Sequence, residues 1–140
     1  MERAILDTDI FSEVLRGRSQ AVIAKADAYL STFGHFTISV ITVAEMVDGL
    51  KRHFREGAIS KLLEKLQIEG HEVLSLDLEV AKIAGSIAGE LHRTGQPIGR
   101  IDPFIAAIAI EAGLPLVTGN VSHFERIASL GYKLRLENWR

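Results

Sequence analysis

Ala4-Ile5-Leu6-Asp7-Thr8-Asp9 decides the fold. Three apolar residues run straight into an acid, which reads as a short buried strand ending at a turn. A helix follows from about Asp9 to Arg16, and Gly17 stops it. The unit then recurs. Ser19 is placed to cap a helix from Gln20 to Phe33, where Val22, Ile23, Ala26, Tyr29, Leu30 and Phe33 fall at helical spacing and Gly34 ends the run. Phe36 to Ser39 reads as a second strand, with helices from Thr42 to Arg52 and Ala58 to Gln67. Val73 to Leu76 reads as a third strand, and Asp77 caps a long helix to His92. Asp102-Pro103 reads as an N-cap with proline at the first helical position, and Gly113 ends that helix before a strand from Leu114 to Val117. Ser122-His123-Phe124-Glu125 has the form of a capping box for the last helix. Lys133 to Leu136 can add an edge strand. Strands alternating with helices imply right-handed crossovers and an α/β fold, a three-layer α/β/α sandwich around a mainly parallel sheet.

Composition narrows the chemistry. The 140 residues suit one domain spanning 1–140, with no internal repeat and no linker. Cysteine is absent, which removes thiolate catalysis, disulfides and Cys-type zinc sites and fits a cytoplasmic protein. No apolar stretch approaches the roughly 20 residues of a membrane span. Met1-Glu2-Arg3 leads directly into the first strand, so no signal peptide is expected. A net charge of −2 counts against a basic nucleic-acid platform. It counts less against a metallonuclease, whose acids belong to the metal.

Three carboxylates stand where an apolar segment meets a turn or a helix: Asp7, Glu45 and Asp102. Asn120 closes a fourth such place, after Leu116-Val117-Thr118-Gly119. In parallel α/β folds the ligand crevice lies outside the carboxyl ends of the strands. Acids gathered there repel one another unless a cation offsets them, so a hard divalent ion is expected. Mg²⁺ or Mn²⁺ takes oxygen ligands and keeps several waters, so a few carboxylates suffice. Each acid also has a plainer explanation: Asp7 as a turn or cap residue, Glu45 as a solvated helix residue, Asp102 as an N-cap. The five histidines are scattered, and His123 alone lies near the proposed site, where a surface position at a helix start explains it. Arg16, Arg18, Lys51, Arg52 and Arg100 lie close to these segments and could hold phosphates, although solvated helix faces explain them equally well.

In order, Leu6-Asp7-Thr8, Ser39-Val40-Ile41-Thr42-Val43-Ala44-Glu45, Gly99-Arg100-Ile101-Asp102 with Ile105-Ala106-Ala107, and Leu116-Val117-Thr118-Gly119-Asn120 with His123-Phe124 resemble the PIN-domain ribonucleases. More narrowly the set resembles the VapC toxin branch, and the tail Leu136-Glu137-Asn138-Trp139 is similar to endings found there. The resemblance implies a Mg²⁺-dependent endoribonuclease, the toxin of a toxin–antitoxin pair, whose products carry a 5′-phosphate and a 3′-hydroxyl. It assigns Asp7, Glu45 and Asp102 to the three acidic positions and Thr118 to a hydroxyl lining the same pocket. Asn120 falls where a fourth acid often stands, and Asp9 falls where many relatives carry Asn or Ser. Implied partners are an RNA substrate, a cognate antitoxin and a second copy in a homodimer, with no membrane. Apolar surface on the helices Gln20 to Phe33 and Thr42 to Gln67, including Val47, Leu50, Leu62, Leu63 and Leu66, is expected to receive an amphipathic antitoxin segment.

Two other classes compete. Leu6-Asp7-Thr8-Asp9 also resembles the strand-end Asp-x-Asp of haloacid dehalogenase-type phosphatases, with Asp7 as nucleophile and Asp9 as acid/base. No lysine in the right context and no late acidic pair accompanies it. The second is a non-catalytic PIN-fold binding module, against which the intact acid trio stands.

Overall fold

The computed structural model describes all 140 residues. Five strands form one sheet: β1 (Ile5–Leu6), β2 (Thr37–Ser39), β3 (Glu72–Leu74), β4 (Leu116–Val117) and β5 (Leu136–Glu137). Their order is β3-β2-β1-β4-β5, and every neighbouring pair is parallel. Between β1 and β2 lie α1 (Thr8–Arg16) and α2 (Gln20–Phe33). Between β2 and β3 lie α3 (Val40–Arg52) and α4 (Gly57–Ile68). The crossover to β4 carries α5 (Leu78–Arg93) and α6 (Asp102–Ala112), and α7 (Val121–Ser129) leads to β5.

Side-chain alternation builds the three layers. Successive strand residues point to opposite faces of a sheet. Ile5 and Leu116 join a core cluster with Ala84, Ile87, Ile105 and Phe124, from the α5, α6 and α7 side. Their neighbours Leu6 and Val117 join the other cluster with Phe11, Val22, Tyr29 and Leu62, from the α1, α2 and α4 side. Two-residue strands suffice because β1 and β4 are buried on both faces. Helix α6 is buried along most of its length, and its alanines Ala106, Ala107 and Ala109 let it lie close against its neighbours. No helix is long and apolar enough to cross a membrane.

Local capping follows the sequence in most places. Ser19 and Asp77 each accept a backbone N–H of their helix, and Gly17, Gly34 and Gly113 end helices in the left-handed region. Three expectations need correction. Asp102 is the first residue of α6, Ile101 occupies the cap, and no side chain caps that helix; the Asp102 carboxylate faces His123 instead. Ser122 lies inside α7, whose cap position is Asn120, so the capping box does not form. Leu62 and Leu66 belong to the core and are not surplus surface, whereas Leu63 is exposed.

The topology fixes where a site can be. From β1 the chain steps outward to β2 and β3, then returns across the sheet to β4 and β5. The order therefore reverses between β1 and β4, and the crevice beyond the carboxyl ends of those strands is the expected ligand position. Asp7 follows β1 and Thr118 follows β4.

Candidate functional site

Asp7 is 4 % exposed at the N-cap of α1. The Thr8 N–H donates to its Oδ1 at 2.8 Å, and the Thr118 hydroxyl donates to its Oδ2 at 2.8 Å. Thr118 is itself fully buried and accepts the Asn120 N–H at 3.0 Å. The ends of β1 and β4 are thus joined through one carboxylate. Burial raises the Asp7 pKa from 3.8 to about 7, helped by the negative charges of Asp9 and Asp102; the two hydrogen bonds pull the other way and do not win.

Glu45 is half-buried on α3, and the Thr8 hydroxyl donates to its Oε1 at 2.5 Å. A hydroxyl has one proton, so with that of Thr8 committed to Glu45, Thr42 must be the donor in the 2.9 Å Thr8–Thr42 contact. Ser39 in turn reaches Thr42 at 3.5 Å and caps α3 by accepting the Thr42 N–H. The chain Ser39, Thr42, Thr8, Glu45 is a relay of hydroxyls aimed at one carboxylate, each bond polarising the next.

Asp102, at the start of α6, faces the His123 Nδ1 at 3.4 Å. Its pKa is raised, chiefly by burial and also by Asp9, against the lowering effect of His123. Asp9 accepts the Gly119 N–H at 3.0 Å through Oδ2 and the Ile10 N–H at 2.8 Å through Oδ1. Arg140 lies 3.5 Å from Asp9 and donates to Glu13 at 2.9 Å. Gly119 lies close under the Arg140 guanidinium and the Asp9 carboxylate, so a Cβ there would push these side-chain ends aside.

The structure therefore brings Asp7, Asp9, Asp102 and Thr118 into one electrostatic neighbourhood and ties Glu45 to Asp7 through Thr8. Asn120 stands apart: it is exposed, and its side chain makes no hydrogen bond. Sequence reasoning did not single out Thr8 or Thr42, and it read His123 as a surface residue at a helix start; His123 is exposed and lies 3.4 Å from Asp102. Ser39 ends β2 and caps α3, which begins at Val40 and not at Thr42, and nothing local in the sequence tells that Thr8 reaches Glu45.

The donor set is all oxygen apart from His123, which suits a hard cation. No three His, Asp or Glu side chains stand close enough together to share one ion, because Glu45 is turned to Thr8 and Asp102 to His123. Mg²⁺ does not require three, since it binds through one or two carboxylates and retained water. A buried carboxyl whose ionisation is opposed by burial and two neighbouring acids is a group that a cation would stabilise in its charged form. On that ground the residues fit a divalent ion.

Comparison with known proteins adds the family. The PIN domain model matches residues 4–130. The chain belongs to the PIN-domain family. Within the family it falls in the VapC branch. It is 30 % identical over 139 residues to the tRNA(fMet)-specific endonuclease VapC of Shigella flexneri, covering 99 % of both chains. It is 34 % identical over 143 residues to a ribonuclease VapC of Haemophilus influenzae, again covering 99 % of both. Among solved structures, the DNA-bound VapBC complex from Salmonella typhimurium superposes with a TM-score of 0.81 at 29 % identity, covering 100 % of each chain. The PIN-fold neighbours accord with the all-parallel five-stranded sheet. Neither the phosphatase class nor a bare binding module is favoured by these relatives.

Proposed function

We propose that this protein is a ribonuclease toxin that hydrolyses RNA phosphodiester bonds with a divalent ion, Mg²⁺ or Mn²⁺, held by Asp7 and Asp102 with Glu45 beside them. The observation that carries it is Asp7: a buried carboxylate at the switch point of the sheet, fixed by Thr118 and Thr8, with Asp9 and Asp102 opposing its ionisation. A purely structural cap would not need that burial or that company. When bound, the ion would polarise the phosphate and lower the pKa of an attacking water.

The protein's own groups supply position. Thr118 and the Thr8 N–H hold both Asp7 oxygens, so the carboxylate cannot rotate away. The hydroxyl relay holds Glu45 in one rotamer. His123 orients Asp102. Preorganised negative charge of this kind costs no rearrangement when the substrate arrives. Asn120 is then a supporting residue through its backbone N–H to Thr118, and Asp9 fixes the Gly119 turn.

A cognate antitoxin is the proposed protein partner, supported by relatives whose structures are VapBC complexes. The test of the catalytic reading is a set of single variants, Asp7→Asn, Glu45→Gln and Asp102→Asn, assayed on RNA with Mg²⁺. Loss of cleavage in all three with retained folding is expected; wild-type cleavage by Asp7→Asn would sink the assignment.

A further inference from the structure

A groove of about 560 Å³ starts at Thr8 and Glu45 and runs along α3 toward the α3–α4 loop. Its charge is unlike that of the chain as a whole. Arg16, Arg52, Arg55, Lys61 and Lys65 line it, and Glu45 at its inner end is the one acid. Arg52 is engaged by Asp48 and Lys65 by Glu69, but Arg16, Arg55 and Lys61 form no ion pair. In a protein of net charge −2, such a row is a local concentration of positive field.

A second observation comes from the loop at the outer end. Phe54, between the groove residues His53 and Arg55, is 89 % exposed. It is also the one non-glycine residue with positive φ, at 55°. That angle ends α3 and lets the Arg55 N–H reach the Leu50 carbonyl at 2.8 Å, a place usually held by glycine or asparagine, so a bulky aromatic there is strained and is not called for by the helix end. Nothing in the fold is gained by presenting this ring to water: the core is complete without it. An exposed aromatic next to Arg55 and two residues from Arg52, beside a basic groove, is the arrangement by which proteins hold single-stranded nucleic acid, the ring stacking on a base and the cations following the phosphates.

We infer that this groove is the binding track for a single-stranded segment of the RNA substrate, with Arg16, Arg55 and Lys61 on its phosphates and Phe54 stacked on a base. From Glu45 to His53 the helix advances about 12 Å, a span of roughly three phosphates in a stacked strand. The track thus deepens the ribonuclease reading, on which it rests, by specifying how a flank of the substrate is held while the bond to be cut lies over the acids. Of the basic residues near the site in the sequence, Arg16 and Arg52 line the groove, whereas Arg18, Lys51 and Arg100 do not.

The experiment measures binding without cleavage. A fluorescein-labelled 12-nucleotide single-stranded RNA is titrated with protein in EDTA, by anisotropy, over a range of salt. Phe54→Ala is expected to weaken binding at least about 5-fold. The double variant Arg55→Gln/Lys61→Gln is expected to weaken it about 10-fold at low salt and to make the log–log salt slope shallower by about 1.4. Lys82→Gln, which removes one positive charge at an exposed position of α5, should bind like the parent. All four positions are exposed, so thermal unfolding should not move. With Mg²⁺, the groove variants should raise KM and leave kcat unchanged. RNA affinity within twofold of the parent, for either groove variant, overturns the proposal and leaves the groove to a protein segment. Because binding is read in EDTA, a protein that binds RNA through this groove but cuts none would sink the cleavage reading and not this one.

Discussion

Asp7→Asn should make the metal-free protein more stable at pH 8 while destroying its activity. Asp7 has a pKa of 3.8 when solvated and about 7 in the folded protein. Between those values the folded state holds a proton that the unfolded state has lost, so stability falls as pH rises. The penalty is small near pH 4 and reaches its full size above pH 7. At about 1.4 kcal/mol for each tenfold change in proton affinity, it amounts to roughly 4 kcal/mol. Asparagine cannot ionise, is close to isosteric and ranks with aspartate at an N-cap, so Thr8 keeps its acceptor. The Thr118 hydroxyl must turn, because it now faces an amide, at a cost of about 1 kcal/mol. The net gain is about 3 kcal/mol at pH 8, a rise in Tm on the order of 10 °C. Thermal unfolding by circular dichroism in EDTA at pH 5 and pH 8 measures it. The wild type should lose stability between the two pH values, and the variant should lose much less. Adding Mg²⁺ should raise the wild-type Tm and leave the variant unchanged. A variant less stable than wild type at pH 8 in EDTA would refute the reasoning, because Asp7 would then be a charge the fold depends on.

Further outcomes follow from the same geometry. Asp102→Asn should cut cleavage at least about 100-fold, or roughly 2.7 kcal/mol of transition-state stabilisation, with little change in Tm, since the Asp102 side chain caps nothing; near-wild-type turnover would remove it from the site. Thr118→Val removes the donor to Asp7 Oδ2, so the Asp7 pKa should climb further and the fall in metal-free stability with rising pH should extend to higher pH, read by unfolding at several pH values. Thr8→Val frees Glu45 from its relay and should lower kcat about 10-fold with a stability loss of about 1 kcal/mol, measured by single-turnover cleavage and urea unfolding. Gly119→Ala places a Cβ against the side-chain ends of Asp9 and Arg140, which can move aside, and should cost about 1 kcal/mol or less; a larger fall in the urea midpoint would show that the turn is rigid.

The fold was largely legible because its punctuation is chemical. Glycines at 17, 34 and 113 end helices as their left-handed backbones require, and Ser19 and Asp77 cap theirs. The alternation of strand and helix gave the parallel sheet, though not its order, which depends on packing between distant segments. Two of the errors fell on caps. Asp102-Pro103 and Ser122-x-x-Glu125 have the right residues at the right spacing, yet α6 begins one residue and α7 two residues earlier than the pattern suggests. At Asp102 the carboxylate is drawn to His123 instead, a choice that only tertiary structure can make. The same limit applies at the site. Asp7 could be found as an acid following a buried strand, but its bond to Thr118 joins residues 111 positions apart. The reach of Thr8 to Glu45 is likewise a contact between β1–α1 and α3 with no local trace. Phe54 was invisible as a feature, because neither its exposure nor its backbone angle is written in its neighbours.

The most direct measurement is the chemistry of the cut ends. Purified protein is incubated with RNA in Mg²⁺ and, separately, in excess EDTA, and the termini of the products are mapped. Hydrolysis by water directed by Asp7, Glu45 and Asp102 with a divalent ion leaves 5′-phosphate and 3′-hydroxyl ends in Mg²⁺ and no cleavage in EDTA. Cleavage undiminished in EDTA, or products ending in a 2′,3′-cyclic phosphate, would contradict it, because either would mean that attack does not depend on an ion held by these carboxylates.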